Sequence, residues 1–428
     1  MKFLWFHLMP YPKLPEDFPE RHRSVWVDID PTLYDPEVGH GVYHDYLDEL
    51  EFAAEMGFDG VCVNEHHANA YGLMPSPNLM ASTLARNTKD AAIVVMGNSI
   101  ALYNPPVRVA EEMAMLDVIS GGRLVAGFPV GTPMDTCYAY GVNPATLRQR
   151  YQEAHDLIIR AWTEDKPFAF DGRFTKIRYV NAWPKPVQKP HPPIWIPGGG
   201  SVDTWEWCAE TGYNYSYLSY FGYLAGKETM DGFWKKMAEL GKEPNPFQAG
   251  FIQFIGVADT DAEALDIYKE AGEYFYSRCL HVWPGFVDPP GYKTEGTVKA
   301  GVTSQVERAA QAADAARSAG IKSAMGLSFQ QLVEAGCVIA GSPTTVAEKV
   351  HEVATSLNVG QLFVLLQFGN MDRELTRYNT EMFATQVIPE LKGLFEDEWE
   401  DRWSPRPLPP ERRKTREPLR PAAQTGAA

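Results

Sequence analysis

Short apolar runs and longer amphipathic stretches take turns along most of the chain. The opening MKFLWFHLMPYP carries an apolar run that meets proline within a few residues and reads as a first strand. In VYHDYLDELEFAAEMGFDG, residues Leu47, Leu50, Ala54 and Met56 recur at roughly helical spacing, and Gly57 stands where a helix would stop. The strand GVCVN follows at once. AAIVVMGNSIALY (91–103) reads as a strand, PVRVAEEMAMLDVIS as a helix with Pro106 near its first turn, GGRLVAGFPVG as a strand and PATLRQRYQEAHDLIIRAW as a long helix. The alternation resumes with PPIWIPGGG, VDTWEWCAETG, YNYSYLS and FQAGFIQFIGVAD, and it closes with TTVAEKVHEVATSLN leading into GQLFVLLQFG.

Strands that alternate with helices imply right-handed crossovers and a parallel sheet, wound open or closed into a barrel. The units come close to eight, so the expected α/β architecture is a closed (β/α)8 TIM barrel over residues 1–403. Three stretches interrupt the pattern, at about 10–40, 167–193 and 281–340. Long irregular segments of this kind often wall or cover a site. From Ser404 onward the sequence is Pro/Arg-rich and poor in large apolar residues, so 404–428 is expected to be disordered.

Composition narrows the function classes. A 428-residue chain that is 45% hydrophobic can bury a large core, and its net charge of −16 opposes a nucleic acid or an anionic membrane as main partner. Small molecules and proteins remain. Cys62, Cys137, Cys208, Cys279 and Cys337 show no CxxC spacing, which indicates neither a zinc knuckle nor a disulfide framework and fits a reducing cytoplasm. The apolar run at the start is too short for a signal segment or a membrane span.

Candidate chemistry sits where strands end. VCVNEHHANAYGLMPSPN (61–78) leaves a buried strand through Asn64, Glu65, His66 and His67, and the carboxyl ends of barrel strands are where such folds place their active sites. Adjacent strand residues face opposite ways, so one histidine of the pair is expected at the mouth. Metal ligands at a strand end are normally spaced by one residue so that both face inward; this pair is contiguous, and His7, His155, His191, His281 and His351 supply no complementary spacing, so no metal is expected. A structural His66 bonded to loop backbone is the competing reading.

In IWIPGGGSVDT, Gly199, Gly200 and Ser201 lie between a strand and a helix, where backbone N–H groups and the helix dipole suit a phosphate and Thr204 could add a hydroxyl. A turn capped by Ser201 or Asp203 explains the same residues without a ligand. The stretch is not a GxGxxG, and no Walker lysine follows. In VMGNSIALYNPP, Gly97 and Asn98 interrupt an apolar strand, as a close backbone or ligand approach would require, although a simple bulge would also do so.

Taken together these pieces resemble the bacterial luciferase-like monooxygenases, flavin-dependent (β/α)8 barrels. The likeness runs over most of 1–395 and rests on AAEMGFDGVCVNEHH, PPVRVAEEMAMLDVISGGRLVAGFPVG, YGVNP with the helix that contains Arg150, PKPVQKPHPPIWIPGG and GSPTTVAEKV, in that order. The resemblance implies that Glu65 and His66 match a strand-end Glu-His whose histidine lies beside the flavin, acting as a base or stabilising its oxygenated form. It implies that Asn64 borders the flavin, that Gly97-Asn98 falls where some members carry a non-prolyl cis peptide under the isoalloxazine ring, and that Gly199, Gly200 and Ser201 hold the flavin phosphate; the resemblance leaves the phosphate's cationic partner unassigned, and Arg150 is the candidate. Pro129 and Val130 depart from members with Cys-Arg there, luciferase included, which counts against light emission.

The function so implied is a two-component monooxygenase that uses reduced FMN and O2 on a small apolar or aromatic substrate. No pyridine-nucleotide fingerprint is present, so a separate flavin reductase is the expected partner, and a homo-oligomer is common among members. Two alternatives stand beside it: hydride transfer with the deazaflavin coenzyme, and a flavin-binding protein without turnover.

Overall fold

The computed structural model describes residues 1–293, 295, 298 and 326–414. Its strands are β1 Lys2–Phe6, β2 Gly60–Val63, β3 Ala92–Val95, β4 Leu124–Gly127, β5 Phe168–Asp171, β6 Lys176–Val180, β7 Ile194–Gly198, β8 Asn214–Tyr217, β9 Ala249–Val257, β10 Val338–Gly341 and β11 Gln361–Leu365. Eight of them, in the order β1-β2-β3-β4-β7-β8-β9-β11, pair in parallel and close into a ring when β11 meets β1. The expected TIM barrel is therefore the observed one.

Closure depends on the length of β9. Its first residues pair with β8 (Tyr215↔Ala249 to Tyr217↔Phe251), while its far half pairs on the same side with β10 (Val338↔Phe254 to Gly341↔Val257). All nine residues of β9 are buried, as a stave covered on both faces requires. β1 shows both coverings: Phe6 points inward to the Phe363 ring 6.0 Å away, and Trp5 points outward, its indole N–H donating to Thr380 Oγ1 at 3.1 Å. Strand ends then open into the loops that carry chemistry. Gly97 shows why β3 and β4 approach so closely there: a Cβ on it would lie 1.9 Å from the Gly127 carbonyl oxygen.

The three interruptions have distinct forms. Within 10–40 the helix Pro36–Glu55 already begins, capped by the Asp35 side chain, and the segment before it laces onto the loop after β2 through Val25 and Val27. Within 167–193, β5 and β6 form an antiparallel hairpin. Within 281–340 lie the short helices Pro284–Val287 and Phe329–Glu334 and the start of β10, and 294, 296–297 and 299–325 fall outside the described residues.

The tail corrects an expectation. Residues 404–414 are not loose: Leu408 N–H donates to Gly121 O (2.8 Å), Arg406 N–H to Gln188 Oε1 (2.8 Å), and the Arg413 guanidinium to Lys89 O (2.9 Å) and Asp90 Oδ1 (3.0 Å). Backbone and guanidinium hydrogen bonds anchor this stretch, so its lack of large apolar side chains was a poor guide. Residues 415–428 lie outside the described residues. Among the described residues no helix is long and apolar enough to cross a membrane.

Candidate functional site

At the carboxyl ends of the strands lies a cavity of about 550 Å³. Asn64, Glu65, His66, Gly97, Gly199, Gly200 and Ser201 all line it, which brings together residues spread over 138 positions of the chain. Asn98 and Arg150 do not.

One end is built around Asp135. This residue sits in a widened helical turn, Met134–Ala139, and is 1% exposed. Its Oδ2 meets His66 Nδ1 at 2.9 Å and accepts from Thr132 Oγ1 at 2.9 Å. Its Oδ1 accepts from the His67 backbone N–H (2.7 Å) and from the Trp26 indole N–H (3.0 Å). A carboxylate surrounded by donors requires His66 to present its Nδ1 proton to it, which leaves His66 Nε2 free to act on a ligand. The Trp26 and Tyr71 rings meet the imidazole edge to face, each 5.0 Å away, and hold its plane.

Glu65 has a different role from its neighbour. It is buried, its Oε1 meets His67 Nε2 at 2.8 Å, and its Oε2 accepts from Ser99 N–H (2.9 Å), the Tyr103 hydroxyl (3.3 Å) and Asn98 Nδ2 (3.4 Å). Burial, then the Glu65 charge, raises the Tyr103 phenol above its ordinary value, so it stays a donor. Both Glu65 oxygens are engaged by the protein, which suits a residue that orients loops better than one that exchanges protons with a ligand. Asn98 belongs to this support: it is fully buried and bonds Tyr103 OH at 2.8 Å, one layer behind the cavity wall. The Met96–Gly97 peptide is cis, at the bulge expected there.

The other end is glycine-rich. β7 runs out at Gly198, and the chain passes Gly199 and Gly200 before the helix Val202–Thr211. A Cβ on Gly199 would meet nothing within 4 Å, so the backbone there faces open cavity. Arg148 lines the same end, and its Nη2 donates to Ser201 Oγ at 3.3 Å. Arg150 instead lies with its guanidinium 4.5 Å from the centre of the Phe174 ring. Two residues along a helix is a turn of about 200°, so the two arginines occupy opposite faces of Pro144–Thr163 and the expectation missed by one face.

Trp26, Tyr71, Asp135, Arg148 and Tyr220 are site residues that the sequence reading did not select. Asp135 had a signal, a lone acid in the otherwise uncharged stretch GFPVGTPMDTCYAYGVNP. Trp26, Tyr71 and Tyr220 had none, because rings are as common in cores as in sites, and Arg148 is one of two arginines on the same helix that the sequence does not separate.

Comparison with known proteins agrees with this geometry. The family description "Luciferase-like monooxygenase" matches residues 27–358, and the chain belongs to that family. Among curated relatives, the oxygenase component of a flavin-dependent trigonelline monooxygenase from Acinetobacter baylyi is 28% identical over 180 residues, 40% of this chain and 48% of the relative. Against such relatives the chain spans about half of their length. Of solved structures, the oxygenating constituent of 3,6-diketocamphane monooxygenase from Pseudomonas putida, in complex with FMN, superposes with a TM-score of 0.65 at 17% identity, covering 91% of this chain and 98% of that one. A secondary alcohol dehydrogenase dependent on the deazaflavin coenzyme superposes at 0.59 with 17% identity, over 91% and 98%. Likeness at that identity speaks for the fold.

Proposed function

We propose that this chain is the oxygenase of a two-component flavin monooxygenase, which receives reduced FMN from a separate reductase and oxygenates a small apolar or aromatic molecule. One observation carries the reading: a single cavity joins an anion-suited end, made of Gly199, Gly200 and Arg148, to a histidine whose tautomer Asp135 sets. The residues fit a flavin at both ends. Among the described residues Asn64 Oδ1 is a buried acceptor without a partner, as a ring N–H would require, and the open backbone at Gly199 leaves room for a phosphate at a helix N-terminus.

When bound, reduced FMN supplies the activation of oxygen. The chain's own residues do the rest. Arg148 and the glycine turn would hold the phosphate, Gly97 lets β3 and β4 approach where they border the cavity, and the apolar wall would keep water away. His66 Nε2 takes or returns a proton at the reacting atom while Asp135 holds the protonated Nδ1. The absence of a nucleotide-binding fingerprint and the component status of the Acinetobacter relative support a reductase partner. Five unpaired cysteines support a reducing cytoplasm as its setting. A homo-oligomer is part of the proposal, and a monomeric mass by light scattering would remove it.

Hydride transfer with the deazaflavin coenzyme is the second reading, supported by the structural likeness to the alcohol dehydrogenase. Non-catalytic flavin binding fits poorly with a His66–Asp135 pair held by three further donors. Anaerobic titration with reduced FMN, and in parallel with the reduced deazaflavin coenzyme, followed by admission of oxygen, tests the choice. Tight FMN binding and oxygen consumption are expected; preference for the deazaflavin with no reaction toward oxygen would transfer the protein to the second reading.

A further inference from the structure

Away from the barrel mouth, one pair of side chains is placed for metal chemistry. The helix Pro36–Glu55 carries His40 and His44, and residues four apart on a helix stand one above the other on the same face. Their rings meet edge to face with centres 4.8 Å apart. Both residues are exposed, and among the described residues neither imidazole has a hydrogen bond or an ion pair to the protein. Each neutral ring therefore keeps a nitrogen lone pair open to a ligand from solvent.

The spacing suits chelation. Imidazole nitrogens bound to one ion, each at about 2.0–2.1 Å, lie roughly 3 Å from one another. Rings whose centres already stand 4.8 Å apart reach that separation by small rotations, which exposed side chains make freely. Charge favours a cation here. The helix bears six Asp or Glu residues and no Lys or Arg; Arg373 pairs with Asp45 and Asp48, whereas Glu37, on the stripe of the two histidines, has no cationic partner among the described residues. Ligand type then selects the ion: imidazole suits Cu2+, Ni2+ and Zn2+, with Cu2+ at the head of the affinity order, while Mg2+ and Ca2+ take oxygen ligands. Among the described residues no group of three metal-ligating side chains converges, so water fills the remaining positions.

We propose that His40 and His44 together chelate one divalent transition-metal ion, Cu2+ most tightly, on the outer face of the helix Pro36–Glu55. The site is separate from the barrel-mouth cavity and does not depend on the flavin reading. Its place in the fold gives it a consequence for the mouth, because the same turns of helix anchor two of the mouth loops: the Tyr43 hydroxyl donates to Leu73 O at 2.7 Å and the Tyr46 hydroxyl to Pro10 O at 2.6 Å. An ion held across His40 and His44 clamps the stretch from which both tyrosines project.

Calorimetric titration of the chelator-treated full chain with CuCl2, paired with pulsed electron paramagnetic resonance to count coordinated imidazoles, tests this. One tight event per chain is expected, with two imidazoles on the ion. His40→Gln and His44→Gln should each weaken that event by about 10² or more, the scale of losing one of two linked contacts, and leave a single imidazole. Both side chains are exposed, so neither variant should change the melting temperature without metal. His351→Gln, which removes an exposed histidine with no second histidine one turn away, should bind as the unsubstituted protein does. A tight event that survives in either His40→Gln or His44→Gln, a single imidazole on the ion in the unsubstituted protein, or an equal loss in His351→Gln would each overturn the proposal and leave an adventitious ion only.

Discussion

In the proposed chemistry Asp135 and His66 divide one task between a charge that stays and a proton that moves. Four donors converge on the Asp135 carboxylate, so its position is over-determined, and the imidazole it holds cannot flip without breaking its own 2.9 Å link to Oδ2. Asp135→Asn keeps the shape but offers an amide where an acceptor is needed. Turnover should fall by about 10², within the usual range for acid–base work, while FMN binds with nearly unchanged affinity. Rapid-mixing single-turnover rates decide this, and an unaltered rate would make Asp135 a purely architectural residue. At the opposite end, Arg148→Ala should weaken FMN by about tenfold or more, in line with a charge-assisted hydrogen bond, and leave riboflavin unaffected. Arg150→Ala should leave both affinities alone, because that guanidinium sits on Phe174. Equal losses for FMN and riboflavin in Arg148→Ala would detach it from the phosphate. At this scale the sequence was legible where polar residues interrupt an apolar strand end, as at Glu65, His66 and Gly199 to Ser201. It was not legible where tertiary convergence makes the site: Trp26, Tyr71 and Tyr220 come from three different loops and look like core.

The elements were readable to the extent that their apolar faces were regular. All eight barrel strands carry solid apolar runs or glycine-flanked ends, and the helices Pro36–Glu55, Val107–Ser120 and Pro343–Leu357 bury regular stripes. Pro77–Asn87 was missed because its buried face includes Pro77 and Asn78 while Leu79 points to solvent, and Gly222–Glu239 because its buried face uses two glycines. Between elements, a fully buried pair ties β1 to Pro36–Glu55: His7 Nε2 lies 3.0 Å from Glu49 Oε2, and His7 Nδ1 accepts the Met9 N–H at 2.9 Å. Burial lowers His7 from 6.5 to about 3 and raises Glu49 well above 4.5, so both favour the neutral form in the folded state. The two therefore act in opposite senses. The His7 contribution is present above pH 6.5 and is lost as pH falls toward 3; the Glu49 contribution is present below pH 4.5 and is lost as pH rises. Each is worth at most about 1.4 kcal/mol per pH unit, and between the two values they offset one another. Melting temperatures between pH 4.5 and 6.5 should accordingly tilt in opposite directions in two variants. His7→Gln should gain stability relative to the unsubstituted protein as pH falls, and Glu49→Gln should lose it. Parallel profiles would assign the acid sensitivity to other groups.

Across the whole molecule the two ends of the barrel do different work. The carboxyl ends of the strands carry the cavity, and the amino ends are closed by the tail, whose Ser404, Pro405 and Pro407 border a small pocket with Lys2, Asp59, Asp90 and Arg123. Arg123 anchors that floor. It is 3% exposed, donates to Ala85 O, Thr88 O, Ala91 O and Ser120 O, and burial lowers its guanidinium to about 10. The backbone carbonyls take the place of water around this charge, and the tail lies beside it. Deleting 404–428 removes the four hydrogen bonds of Leu408, Arg406 and Arg413, a loss of about 4 kcal/mol at roughly 1 kcal/mol per net hydrogen bond, which corresponds to several degrees in Tm. FMN affinity and turnover at 25 °C should survive, because in such barrels the amino-end face serves stability and the chemistry belongs to the opposite face. Calorimetry of the shortened chain beside an FMN titration separates the two quantities. An unchanged Tm would mean that the barrel floor closes without its strap, whereas a loss of FMN binding at full stability would mean that the two ends of the barrel are coupled through the strands.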